Sequence, residues 1–172
     1  EGRYVIDLCI EKIDEIWPKN SAYKKKEFLD SLKTLRERIS IDQFNFFQIS
    51  FSSDSDSLAL WNYYANKNGI NLKLSKKKLL TSLESHVVKS GIGQVAFLHG
   101  YVIYDQKRQI NILKNLLKDC SGASQSLNEW YLFTSWAVLY AGVLFKHAGF
   151  HDEREYRIAY NIMSTPYIPD KC

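Results

Sequence analysis

The sequence predicts an α+β fold: a mixed or largely antiparallel sheet covered by helices, with one long apolar helix buried at the centre. Three observations carry this. Segments of helical period and of strand period both occur, but they lack the strict strand–helix alternation of a doubly wound sheet. The run at 130–145, WYLFTSWAVLYAGVLF, contains no charged residue. It is shorter than the ~20 apolar residues a spanning helix requires, and Thr134, Ser135 and Gly142 interrupt it between Glu129 and Lys146. It therefore reads as a buried helix and not as a membrane span. Finally, 172 residues with 45% hydrophobic and 24% charged side chains suit a single globular domain with a full core.

The elements follow in order. Residues 1–17 place Val5, Leu8, Ile13 and Ile16 near the helical period, and Pro18 stops that helix. Residues 21–39 form a second helix with Phe28, Leu32, Leu35 and Ile39 on one stripe. Residues 44–52, FNFFQISFS, read as an aromatic-rich strand. The turn SDSDS follows, and Asp56 or Ser57 caps a helix over 58–67 that ends at Asn68-Gly69. INLKL at 70–74 alternates like a short strand, Ser75 caps a helix holding Leu79, Leu80 and Leu83, and Gly91 and Gly93 mark a loop. Residues 94–104 read as one strand or two, broken at Gly100, and 105–119 as a helix. A small-residue loop at 121–126 leads into the apolar helix. EREYRIAYNI at 153–162 alternates as the last strand, and Pro166 and Pro169 mark an extended tail.

Composition excludes some functions. The net charge of +4, from 23 basic against 19 acidic residues, is too mild to argue for nucleic-acid binding. Lys24–Lys26 and Lys76–Lys78 sit in first helical turns, where cations oppose the helix dipole, but mild net charge favours a solvated surface. Cys9, Cys120 and Cys172 are scattered and odd in number, which fits reduced thiols of a cytoplasmic protein. The chain opens at Glu1 without a signal peptide and reads as a domain incomplete at its N-terminus.

The last strand carries the most chemistry. Alternation puts Glu153, Glu155 and Arg157 on one face, where one carboxylate can act as base or orient a hydroxyl while the guanidinium fixes the other. The competing reading is an ion ladder on a solvated edge strand. Ser50 and Ser52 share a strand face, and Trp61 and Tyr64, three apart, share a helix face. Together they line a pocket, or the hydroxyls end a strand while the aromatics fill the core. His147 and His151 are four apart, but Gly149 lies between them and no third ligand is placed, so no metal site is assigned. No Ser sits in G-x-S-x-G, so no hydrolase triad is argued.

The segment ISFSSDSDSLALWNYYANKNGINLKL resembles the signature of a bacterial family, domain of unknown function 2971. The pattern is a strand ending in S-F-S, an acidic gap, an apolar-Trp-x-x-Tyr helix, then a Gly and a strand. Val102-Ile103-Tyr104 resembles its short V-x-Y strand, and Lys146, Phe150, Glu153, Glu155 and Arg157 resemble its closing K-x3-F-x2-E-x-E-x-R. The likeness covers residues 46–160. The family's opening Arg-bearing strand and Asn-Asp segment are absent from this chain.

A strand order of Arg, Ser-x-Ser and Glu-x-Glu is similar to the layout of ADP-ribosyltransferases. The similarity implies NAD as a substrate, with Ser50 and Ser52 supporting the nicotinamide ribose and Trp61 or Tyr64 flanking the ring. It implies Glu155 as the catalytic carboxylate and Glu153 as the group polarising the acceptor, in a toxin or phage-defence effector. Here the Arg is missing and the middle residue of the Ser motif is Phe51. The alternative is a non-enzymatic binding or regulatory module with a protein partner, in which Asp56, Trp61 and Tyr64 shape the fold. Both readings expect no membrane partner, and neither requires a resident cofactor.

Overall fold

The computed structural model describes residues 2–19, 21, 23–38, 46–65, 68–89, 95–124 and 126–162. The first part of the chain forms α1 (Gly2–Glu11), α2 (Ile13–Ile16), α3 (Lys25–Arg38), β1 (Phe46–Ser52) and α4 (Leu58–Leu60), which runs into a π-helical turn (Trp61–Ala65). Then come α5 (Lys76–Lys89), β2 (Val95–Tyr101), α6 (Gln106–Ala123), α7 (Leu127–Leu144), a 3-10 segment (Ala148–Glu153) and β3 (Glu155–Ile162). The fold is α+β, with a three-stranded sheet of order β1-β3-β2. The chain divides into two compact units, one from residues 1–40 and 101–151, the other from 41–100 and 152–172.

The first unit is helical. Its core gathers Ile6 and Cys9 of α1, Phe28 and Leu32 of α3, Leu113 and Leu117 of α6, and Trp130 and Val138 of α7. Trp130 is fully buried among aromatic rings: Tyr23 stacks on it at 4.7 Å, and Phe28 and Trp17 meet it edge-on at 5.1 and 5.6 Å. Its indole N–H donates to Ser121 Oγ at 3.0 Å, so the ring is buried without stranding its polar atom. The apolar helix α7 buries the stripe Trp130, Thr134, Val138 and Ala141, while Leu132 and Phe133 lie outside it and are exposed. Gly142 lets α1 approach closely, since a Cβ there would sit 2.9 Å from Val5 Cγ1. No helix among the described residues is long and apolar enough to cross a membrane.

One buried polar side chain ties this unit together. Gln109 is 0% exposed. Its Nε2 donates to the carbonyls of Ile103 at 2.5 Å and Lys146 at 2.9 Å, and its Oε1 accepts from Tyr4 at 2.8 Å. It thereby fastens the parallel bridge between Ile103 and Phe145. Gln109→Ala removes the side-chain donor of both carbonyls and the acceptor of the Tyr4 hydroxyl, while Ile103 O keeps the Lys146 N–H at 3.3 Å, and a buried loss of this kind costs about 1–3 kcal/mol in all. Chemical denaturation is expected to show a loss of that size; an unchanged midpoint would contradict this role.

Burial pushes the Cys9 thiol up to about 12 from 9.0. The folded state therefore keeps its proton where the unfolded chain loses it. Stability from this group is complete below pH 9 and declines as pH rises toward 12. The expected slope is about 1.4 kcal/mol per pH unit in that window, readable by urea titration. Cys9→Ser should remove that slope, and persistence of the slope would argue against its origin in Cys9.

Several sequence expectations change. The helix expected over 1–17 breaks at Lys12 into α1 and α2. The loop expected at 121–126 is shorter, because α6 continues to Ala123 with Ser121 Oγ bonded back to Leu117 O at 2.9 Å. INLKL at 70–74 is not a strand, and Ile70, Leu72 and Leu74 are exposed. Alternation reports which side chains share a side; a strand also needs a neighbour for its backbone groups. The loop at Gly91 and Gly93 and the tail at Pro166 and Pro169 lie outside the described residues.

Candidate functional site

The second unit contains the sheet, with β3 at its centre. β1 runs antiparallel to β3, with Ser50 opposite Arg157 and Ser52 opposite Glu155. Directly opposed residues project from the same face, as do residues two apart on one strand. The register thus brings Ser50, Ser52, Glu155 and Arg157, separated by about a hundred residues, onto one face.

The charged pair is buried. Arg157 is 1% exposed and Glu155 7%, and Arg157 Nε donates to Glu155 Oε2 at 2.5 Å. An ion pair removed from water gives each partner its counter-charge and fixes the carboxylate's direction. The solvated edge ladder is therefore not what forms, because the strand is central and its ions are covered. Ser50 beside the pair is exposed, and Ser52 is half-buried.

Backbone bonds lock this end of the sheet. Ser52 Oγ donates to Glu153 O and accepts from the Asp54 N–H, both at 3.0 Å. The Ser53 N–H and hydroxyl both donate to Arg154 O at 3.0 Å. Arg154 has φ 44, in the left-handed region that few non-glycine residues adopt. Its guanidinium lies 3.8 Å from Asp54.

That residue changes one expectation. Glu153 is not on the strand: it ends the 3-10 segment, and β3 begins at Glu155. Alternation of faces holds only along extended backbone, and Arg154 interrupts it. Glu153 is buried at this junction, its carbonyl beneath the Ser52 hydroxyl.

Trp61 and Tyr64 also differ from their expected arrangement. Both fall in the π turn, where hydrogen bonds reach five residues on, so a three-residue spacing no longer stacks side chains. Trp61 is half-buried, and its indole donates to Asp56 Oδ1 at 3.0 Å. Tyr64 is 72% exposed. The N-cap of α4 is Ser57, whose Oγ accepts from Leu60 N–H at 3.4 Å.

The other face of β3 carries a cluster that sequence reading did not single out. Tyr156 Oη is 2.7 Å from His99 Nδ1, and Lys76 Nζ sits 5.0 Å from the Tyr156 ring centroid. A signal existed in the alternation of 94–104, which sets His99 in phase with Phe97. His147 Nδ1 accepts from the Gly149 N–H at 3.1 Å, and the His151 ring meets Tyr104 edge-on at 5.5 Å. Among the described residues no three His, Cys, Asp or Glu side chains gather as a metal site would require.

The arrangement defines an α+β protein whose hydroxyl-bearing edge strand is paired with a buried carboxylate–guanidinium strand. Residues 60–158 match the family described as a protein of unknown function, DUF2971, and since this is more than half of the chain, the protein belongs to that family. Glu155 and Arg157 fall inside the matched span, and Ser50 and Ser52 precede it. Neither a curated protein nor a solved structure matched the chain.

Proposed function

We propose that this domain is an NAD-using transferase or glycohydrolase of the ADP-ribosyltransferase kind, acting as an effector in the bacterial cytoplasm. The single observation that carries the reading is the β1–β3 register, which sets Ser52 opposite Glu155 and Ser50 opposite Arg157. A fixed carboxylate flanked by hydroxyls suits a ribose whose C1′ becomes positive as its bond to nicotinamide breaks. In this reading Glu155 stabilises that charge and orients the ribose. Ser50, the exposed hydroxyl, contacts the sugar. Ser52, already bonded to the Glu153 carbonyl, is a positioning residue, and Arg157 holds the Glu155 carboxylate in place. Trp61 and Tyr64 flank the nicotinamide ring.

The bonds balance as follows. The C1′–N bond breaks and its electron pair leaves with nicotinamide. A lone pair of the acceptor, or of water in hydrolysis, forms the new bond to C1′, and the acceptor's proton passes to Glu153. The test is NAD consumption by the full-length protein beside Glu155→Asp. That change keeps the charge opposite Arg157 but withdraws the carboxylate, and a displacement near 1 Å costs about a hundredfold in rate. Equal turnover by both proteins would sink the proposal.

A second reading is favoured by one observation: Glu155 and Arg157 are both buried and satisfy each other. The pair would then be structural, in a non-enzymatic binding module for a nucleotide or protein partner. It predicts no NAD turnover by a folded protein.

A further inference from the structure

Leu58, Tyr63 and residues 68–78 carry a surface that the candidate site does not use. Leu58, Tyr63, Ile70, Leu72 and Leu74 are each exposed, from 56% at Leu74 to 86% at Ile70. Their backbone is anchored. Asn71 Nδ2 donates to Ser55 O at 2.6 Å, and the Trp61–Asp56 bond fixes the start of the π turn. An apolar surface concentrated in one stretch marks an interaction site more often than scattered exposure does.

Lysines continue the same stretch. Lys73, Lys77 and Lys78 are exposed, and the first turn of α5 holds no acidic residue. Cations there oppose the helix dipole, so they do not serve the helix. The acids of the adjoining turn are engaged, Asp54 near Arg154 and Asp56 by Trp61.

Charge selects the occupant. A second copy laid on this surface would set lysine against lysine. A nucleic acid would use the lysines and Tyr63 but give the four aliphatic side chains nothing apolar to enter, since it offers phosphates and base faces. A bilayer interface with anionic headgroups uses all three kinds: aliphatic chains enter the acyl boundary, Tyr63 sits at headgroup depth, and lysines meet phosphate. We infer that Leu58, Tyr63, Ile70, Leu72 and Leu74, with Lys73, Lys77 and Lys78, form a docking surface for an anionic lipid bilayer, lying on the membrane and not crossing it.

Vesicle co-sedimentation of the full-length protein tests this. Phosphatidylcholine vesicles containing about a third phosphatidylserine should retain the protein, vesicles of phosphatidylcholine alone should not, and raised salt should release it. Lys77→Gln with Lys78→Gln should weaken retention on the order of tenfold. Leu72→Ser with Leu74→Ser should weaken it as well, with melting unchanged in both variants because these side chains are exposed. Equal retention on neutral and anionic vesicles would overturn the inference. So would no retention on either, or binding of a single-stranded oligonucleotide in place of vesicles. The salt and lipid dependence of the unaltered protein decides the matter even if a variant fails to fold.

Discussion

Arg157→Met is expected to destabilise the protein by about 3–5 kcal/mol, because it leaves the Glu155 carboxylate buried without its counter-charge. The guanidinium is 1% exposed and bonded to that carboxylate at 2.5 Å, so little water is at hand to replace it. The partner experiment is sharper. Combining Arg157→Met with Glu155→Leu removes both charges, and replacing a whole buried pair by apolar groups is often neutral or stabilising. The double variant should therefore be more stable than Arg157→Met alone. Urea denaturation of the two singles and the double gives the coupling. Additive losses would mean that the two side chains do not depend on each other.

Trp130→Ala should cost about 3–5 kcal/mol, the usual range for a fully buried large aromatic. A domain of this size has only about 5–15 kcal/mol in total. The substitution removes a ring that touches Trp17, Tyr23 and Phe28 and leaves the Ser121 hydroxyl without its indole donor. Trp130→Phe keeps most of the packing and should be milder. Melting and far-ultraviolet dichroism check both variants. A change under 1 kcal/mol for the alanine variant would mean that the helical unit does not depend on this cluster.

Much of the fold was legible because periodicity reports burial directly. The stripe containing Phe28 and Leu32, the helix expected over 105–119 and the uncharged run of α7 all became core helices. The structure adds the N-caps Asp105 and Ser126, each accepting from the amide three residues on. What failed depended on partners or backbone signs that periodicity does not encode. INLKL alternates as well as β1 does, yet among the described residues no strand pairs with it. Glu153 sits in phase with Glu155, yet the left-handed Arg154 between them ends the phase. Trp61 and Tyr64 have α-helical spacing, but their turn is wound as a π helix.

The candidate site was legible in its residue types and not in its assembly. Two serines two apart and a Glu-x-Arg pair each marked one strand face. That the faces are the same one follows from the β1–β3 register, which is set by contacts roughly a hundred residues apart in sequence. The burial of the charged pair was hidden for the same reason. A Glu-x-Arg on an edge strand and one on a central strand read alike until the neighbours are known. For His99 the alternation of 94–104 could mark a face but not a partner, because Tyr156 is equally remote in sequence.

The central functional claim is that the face bearing Ser50, Ser52, Glu155 and Arg157 turns over NAD. The most direct measurement is nicotinamide release from NAD by the full-length protein, with and without cell lysate as a source of acceptor, run beside Glu155→Asp at matched melting temperature. The account predicts nicotinamide release by the unaltered protein and a loss of about a hundredfold in the variant. Folded protein that releases no nicotinamide under either condition, or a variant that releases it as fast, would contradict it.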